Sequence, residues 1–227
     1  MVRKATAVLG LVGGVVAATG LWTLYQRATT ETVPYTVVAD IGDVELRRYP
    51  SLVVAETEAP SGNEAFRRLF RYISGANEGD VDISMTAPVA VRDDGTEVPM
   101  TGPVEVGESG SELPMTAPVE TDTGAAGGVR MAFYLPPEYD IVSAPTPTDD
   151  DVELVALGER TLAVRRFSWR PTDRRVARES SRLVETLEEA SVPMAGAPFL
   201  MGYDAPGTLP FLRRNEVAVE VASTAAT

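Results

Sequence analysis

The sequence predicts an α+β fold, one curved antiparallel sheet or barrel built from two similar halves, with a helix from each half outside. Three observations predict it. Short runs of alternating apolar and polar residues recur between Gly, Asp and Pro turns, and two stretches with helical period interrupt them. Leu162-Ala-Val-Arg-Arg-Phe167 also echoes Val44-Glu-Leu-Arg-Arg-Tyr49, each ahead of a helical stretch. A sheet assembled from two halves leaves a cleft between them, the default place for a ligand.

The first element stands apart. Ala5 to Tyr25 is a run of 21 uncharged positions, 14 of them apolar, bracketed by Arg3, Lys4 and Arg27. As a helix it reaches about 30 Å, the thickness of a bilayer core, and Trp22 and Tyr25 sit where aromatic rings favour the headgroup region. Residues 1–30 therefore read as a transmembrane anchor or a signal segment, and residues 31–227 as the folded domain. The balance of positive charge puts that domain on the extracytoplasmic side, anchored by a single pass, or secreted if the segment is cleaved.

From Tyr35 the period changes to two. Tyr35–Ala39, Val44–Tyr49 and Leu52–Glu58 read as strands, with a turn at Gly42-Asp43. Asn63 is placed to cap a short helix in which Phe66, Leu69, Phe70 and Ile73 fall at i, i+3, i+4 and i+7. Met85-Thr-Ala-Pro-Val89, Met100-Thr-Gly-Pro-Val104 and Met115-Thr-Ala-Pro-Val119 then recur at 15-residue spacing. Their methionines either fill a core or line a soft apolar pocket. Val129–Leu135 closes this half, and residues 138–151 form a polar connection ending in Asp149-Asp-Asp151. The second half offers Leu162–Phe167, a helix over roughly Thr172 to Ala190, Phe199–Tyr203, a Pro206-Gly207 turn, Leu209–Leu212 and Val217–Val221.

Composition narrows the chemistry. The chain of 227 residues has no Cys and no His, so thiolate nucleophiles, Fe–S clusters, imidazole metal ligands and the Ser-His-Asp triad are excluded. Its net charge of −13 argues against nucleic acid as a partner. Residues 1–30 hold three basic residues and no acid, so the domain alone carries −16. Lys4 is the one lysine beside 19 arginines, a balance that fits either a salt-adapted surface or a GC-rich genome. No carboxylate pair or metal-ligand spacing stands out to mark a catalytic or metal site, so the residues leave a narrow catalytic repertoire and rank an enzyme using carboxylates and arginines last.

Five segments carry a resemblance. Val44-Glu-Leu-Arg-Arg-Tyr-Pro50, Tyr72-Ile-Ser-Gly-Ala-Asn77, Ile83-Ser-Met-Thr-Ala-Pro-Val89, Met115-Thr-Ala-Pro-Val119 and Leu209-Pro-Phe-Leu-Arg-Arg-Asn-Glu-Val217 occur in the order of the SOUL haem-binding family, which the chain resembles over residues 33–222. The resemblance implies a twisted antiparallel β-barrel of two pseudo-repeats flanked by two main helices. It also implies binding of haem or another tetrapyrrole, with Phe66, Leu69, Phe70, Ile73 and Met85 as pocket wall and Arg71 as partner of a propionate. With no histidine, iron ligation falls to a Met thioether or a Tyr phenolate, or the porphyrin is held by contact and propionate pairing alone. The chain is also similar to gyrase-inhibitor-type effector-binding domains, which leaves a domain of the same fold that binds an effector or a protein instead of haem as the alternative.

Overall fold

The computed structural model describes residues 32–93, 128–204 and 208–222. The expected membrane segment at residues 1–30, the Met100 and Met115 copies of the repeat and the Pro206-Gly207 turn lie outside the described residues. Among the described residues no helix is long and apolar enough to cross a membrane.

Among the described residues nine antiparallel strands form one sheet, and two helices pack on it. The strands are β1 Thr36–Ile41, β2 Val44–Tyr49, β3 Leu52–Ala59, β4 Thr86–Asp93, β5 Val129–Tyr134, β6 Val152–Leu157, β7 Arg160–Phe167, β8 Phe199–Gly202 and β9 Asn215–Val221. Helix α1 runs Gly62–Ile73 and α2 runs Asp173–Glu189. The strand order is β1-β2-β7-β9-β8-β4-β5-β3-β6.

That order shows both the duplication and its twist. Outward from the central β8–β4 pair, β9, β7 and β2 on one side answer β5, β3 and β6 on the other. The expected correspondence of Val44–Tyr49 with Leu162–Phe167 is therefore corrected: the strand ahead of each helix is β3 or β7, and the counterpart of β2 is β6. The two look-alike segments are neighbours, with Val44 opposite Arg165 and Tyr49 opposite Arg160. Each half lends its first strand to the other, β2 to β7 and β6 to β3.

The sheet curls but does not close, which corrects the expected barrel. Pro50 and Ser51 alone join β2 to β3, a reach of about 11 Å, although six strand spacings, about 29 Å if flat, separate them in the sheet. The Arg160 guanidinium crosses the interior to donate to the Tyr134 hydroxyl at 2.8 Å, from β7 to β5. Closure would need β2 to meet β6. Instead, the tight Gly42-Asp43 turn, with Gly42 at φ 63°, folds β1 onto that edge of β2.

Three apolar clusters follow from the alternation of side chains. Tyr49, Leu52, Val54, Ala90, Ala132, Tyr134, Leu162, Val164, Phe199, Met201 and Ala218 fill the concave face. On the convex face α1 covers the β3, β5 and β6 side through Ala65, Leu69, Tyr72 and Ile73. Helix α2 covers β7 and β9 through Leu183 and Leu187. Two local expectations change: Ser61, not Asn63, caps α1, its hydroxyl accepting from the Glu64 N–H at 3.3 Å, and Pro210–Leu212 is a 3-10 turn.

Candidate functional site

Helix α1 sorts the residues expected to line a pocket. At about 100° per residue, Ala65, Leu69, Tyr72 and Ile73 point at the sheet, while Phe66 and Phe70 fall on one flank of that stripe and Arg68 on the other. Leu69 and Ile73 are buried core. Phe66 and Phe70 are 38% and 47% exposed. Their rings stack at 5.9 Å between centroids, 13° from parallel. Beneath them Phe133 of β5 meets Phe66 edge-on at 5.4 Å. The result is a two-ring apolar shelf backed by the core.

The flanks face opposite ways. Arg68 donates to the Glu58 carbonyl and pairs with Asp151 ahead of β6, and Arg71 pairs with Asp149 at 2.8 Å. Phe66 leans on β5 from the other side, toward β4. The structure thus sets Arg71 away from the aromatic shelf and engages it. Desolvation opposes the Asp149 charge, but the Arg71 hydrogen bond, the Asp151 backbone N–H and the nearby Arg71 and Arg68 charges together hold the Asp149 carboxyl below its ordinary range. Arg67, between the two flanks on the outer face, is exposed.

Met85 is brought to the shelf side by the loop after α1. The buried Asn77 amide donates to the Tyr72 and Val81 carbonyls, both at 2.8 Å, and accepts from the Val81 N–H. Ile83 N–H then returns to the Ile73 carbonyl at 2.7 Å. Two residues later Met85 enters β4 with its side chain 36% exposed, next to Thr86, which pairs with Tyr134. Burial pushes the Tyr72 phenol up to about 12, and it donates to the Pro145 carbonyl at 2.9 Å. It is a protonated anchor, not a phenolate. Among the described residues no group of acids is placed to hold a metal ion.

A second cluster escaped the sequence reading. Glu216 of β9, with no exposed surface, accepts from Arg47 at 2.7 and 3.2 Å, from the Tyr203 hydroxyl at 2.6 Å and from Arg214 at 2.9 Å. Burial opposes its charge, but the Arg47 and Arg214 guanidinium groups and the Tyr203 hydroxyl hold the carboxyl below its ordinary value. Burial and the same carboxylate push the Tyr203 phenol well up. The Tyr35 ring lies under Arg47 at 4.5 Å. The available signal was Glu216 standing in the inward phase of Asn215–Val221, where Ala218 also points.

Comparisons with known proteins agree with this architecture. The EcmrR C-terminal domain superposes with a TM-score of 0.50 at 10% identity, covering 83% of this chain and 98% of that one. An uncharacterized conserved protein from Listeria innocua gives 0.52 at 11% identity, covering 81% and 94%. A hydrolase from the same organism gives 0.50 at 10%, covering 82% and 94%. At such identities the likeness shows the fold alone. No curated protein matches the sequence. The family of SOUL heme-binding proteins, in contrast, matches residues 30–220, a span holding both helices, the aromatic shelf and nearly all of the sheet, and the chain belongs to that family.

Proposed function

We propose that this protein binds haem or a related tetrapyrrole, without catalysis, on the shelf formed by Phe66 and Phe70, as a module tethered to the membrane by residues 1–30. The observation that carries the reading is the stacked, half-exposed Phe66–Phe70 pair in a member of a haem-binding family. A flat macrocycle suits two near-parallel rings backed by a third, because aromatic faces gain by offset stacking as well as by burial. Haem, when bound, supplies an iron and two carboxylates.

The residues present fit the macrocycle better than the metal. The chain has neither His nor Cys, and the Tyr72 hydroxyl is protonated and engaged. Met85 is the exposed thioether on the shelf side and the residue to take an iron. Without that bond the porphyrin is held by Phe66, Phe70 and Met85 through apolar contact, with propionates reaching Arg67 or displacing Asp149 from Arg71. Leu69 and Ile73 support the shelf from below.

The nine strands and two helices of the described residues lie within residues 31–227, so that domain is the species to titrate with haemin. A saturable Soret shift at equal stoichiometry, weakened in Phe66→Ser/Phe70→Ser, supports the proposal. Absorption that never saturates sinks it and leaves the alternative, an effector-binding or protein-interaction domain of the same fold.

A further inference from the structure

Five of the chain's 19 arginines lie near one end of the sheet. Arg166, Arg170 and Arg174 are exposed, and Arg175 and Arg213 half-buried. Among them stand Trp169, 54% exposed, and Phe211, 51% exposed. The Trp169 N–H donates to the Pro210 carbonyl at 2.9 Å, and the Asn215 amide donates to the Trp169 carbonyl at 2.7 Å. Trp169 is thereby pinned from both sides at φ 79°, a left-handed conformation that a bulky residue adopts only when its surroundings hold it there. The fold keeps this indole outside. Acids stand at this end too: Asp173 opens α2, Asp204 accepts the Arg214 backbone N–H, and Asp43 pairs with Arg165 beside Arg166.

The chain enters the domain at the same end. Thr32 bridges Ala87 just inside β4. Val89 of β4 pairs with Gly202, and Gly202 with Asn215, whose amide holds Trp169. Tyr35 stands on Arg47 and beside Arg214, the chain neighbour of Arg213. Only Gln26 to Glu31 separate Tyr25 from this entry point, at most about 25 Å when stretched. At the other ends of β3, β5 and β6, five acids, Glu56, Glu58, Asp150, Asp151 and Glu153, line a hollow of about 370 Å³ together with Thr57 and a single arginine, Arg130. The domain thus presents arginines and aromatic rings where the chain enters and a mostly acidic hollow at the opposite ends of β3, β5 and β6.

We propose that the end of the domain bearing Trp169 and Phe211, ringed by Arg166, Arg170 and Arg174, seats on the anionic lipid headgroups of the membrane that holds residues 1–30. The proposal rests on the membrane reading of that segment and not on the haem reading. Indole and phenyl rings favour the headgroup region, and arginines are attracted to anionic lipid. The docking would hold the α1 shelf at a fixed orientation to the bilayer instead of leaving the domain to swing on its linker.

The chain has two tryptophans, so in the full chain carrying Trp22→Phe the emission of Trp169 reports this surface alone. With the protein reconstituted in phosphatidylcholine vesicles containing phosphatidylglycerol, Trp169 emission is expected to shift to the blue. It is expected to be quenched by brominated lipid and shielded from acrylamide. Omitting phosphatidylglycerol, or Arg170→Glu/Arg174→Glu, is expected to reverse these changes. Each lost arginine weakens the association about five-fold, and circular dichroism confirms that the variant is folded. Emission and acrylamide quenching identical in detergent and in both kinds of vesicle overturn the proposal, as does failure of the full chain to float with vesicles.

Discussion

Glu216→Gln tests what the buried charge cluster does. The substitution keeps the shape of the side chain and removes its charge from among Arg47, Arg214 and Tyr203. Glu216 has no exposed side-chain surface and Arg47 has 3%, whereas Arg214 has 22%. Breaking a buried ion pair from one side costs about 3–5 kcal/mol. The lower end applies here, because Arg47 retains Glu45 at 2.8 Å and Arg214 retains some water. A loss of about 3 kcal/mol lowers the melting temperature of a domain this size by about 6–12 °C. Urea unfolding followed by circular dichroism and calorimetry both read it. The pH dependence supplies the sign. The folded carboxyl lies below the ordinary glutamate value of 4.5, so its contribution is complete above that value and is lost as pH falls through the folded one. The deficit of the variant against wild type should accordingly shrink below pH 4.5. A loss under about 1 kcal/mol, or a deficit that stays constant in acid, would refute the account of Glu216 as the balancing charge of the interior.

Other expectations separate core from surface. Leu69→Ala should cost about 2–5 kcal/mol while leaving haemin affinity of the folded fraction unchanged. Phe66→Ser/Phe70→Ser should do the reverse, weakening haemin at least about tenfold, because both rings are half in water already. Arg71→Ala, which removes an exposed pair with Asp149, should change stability by no more than about 1 kcal/mol, and Arg67→Ala should weaken haemin more than Arg71→Ala does; a larger effect of Arg71→Ala would place the propionates on the Asp149 flank. For a domain at −16, raising KCl from about 0.1 M to about 2 M should raise the melting temperature through screening, and an unchanged value would end the salt-adapted reading.

Local pattern carried much of the fold. The span of β2 follows from its period-two alternation, and the limits of α2 from Thr172 and from Val176, Leu183 and Leu187 on one face. Pairing across the chain was not legible. β6 lies straight after Asp149-Asp-Asp151, beyond the polar connection, and nothing local in its six residues marks their pairing with Leu52–Thr57 of β3. The mirrored segments suggested the wrong equivalence because β2 and β7 share an environment as neighbours, not a position in the repeat. At the candidate site, helical period collected Phe66, Leu69, Phe70 and Ile73 as one set, and only the seating of α1 on β3 and β5 separates support from contact surface. Arg71 meets Asp149 across 78 residues of chain, a distance over which no spacing argument reaches.

The exchange of first strands between the halves has a kinetic consequence. β2 is complete at Tyr49, yet the strand it pairs with in the body of the sheet ends at Phe167; β3 likewise waits for β6. Such a high contact order slows folding, since loops of this length must close before their contacts return anything. During synthesis the first half must emerge and wait with strand edges open. Neither half is a stopping point, and a chain arrested before residue 160 would present unpaired edges to whatever binds them first.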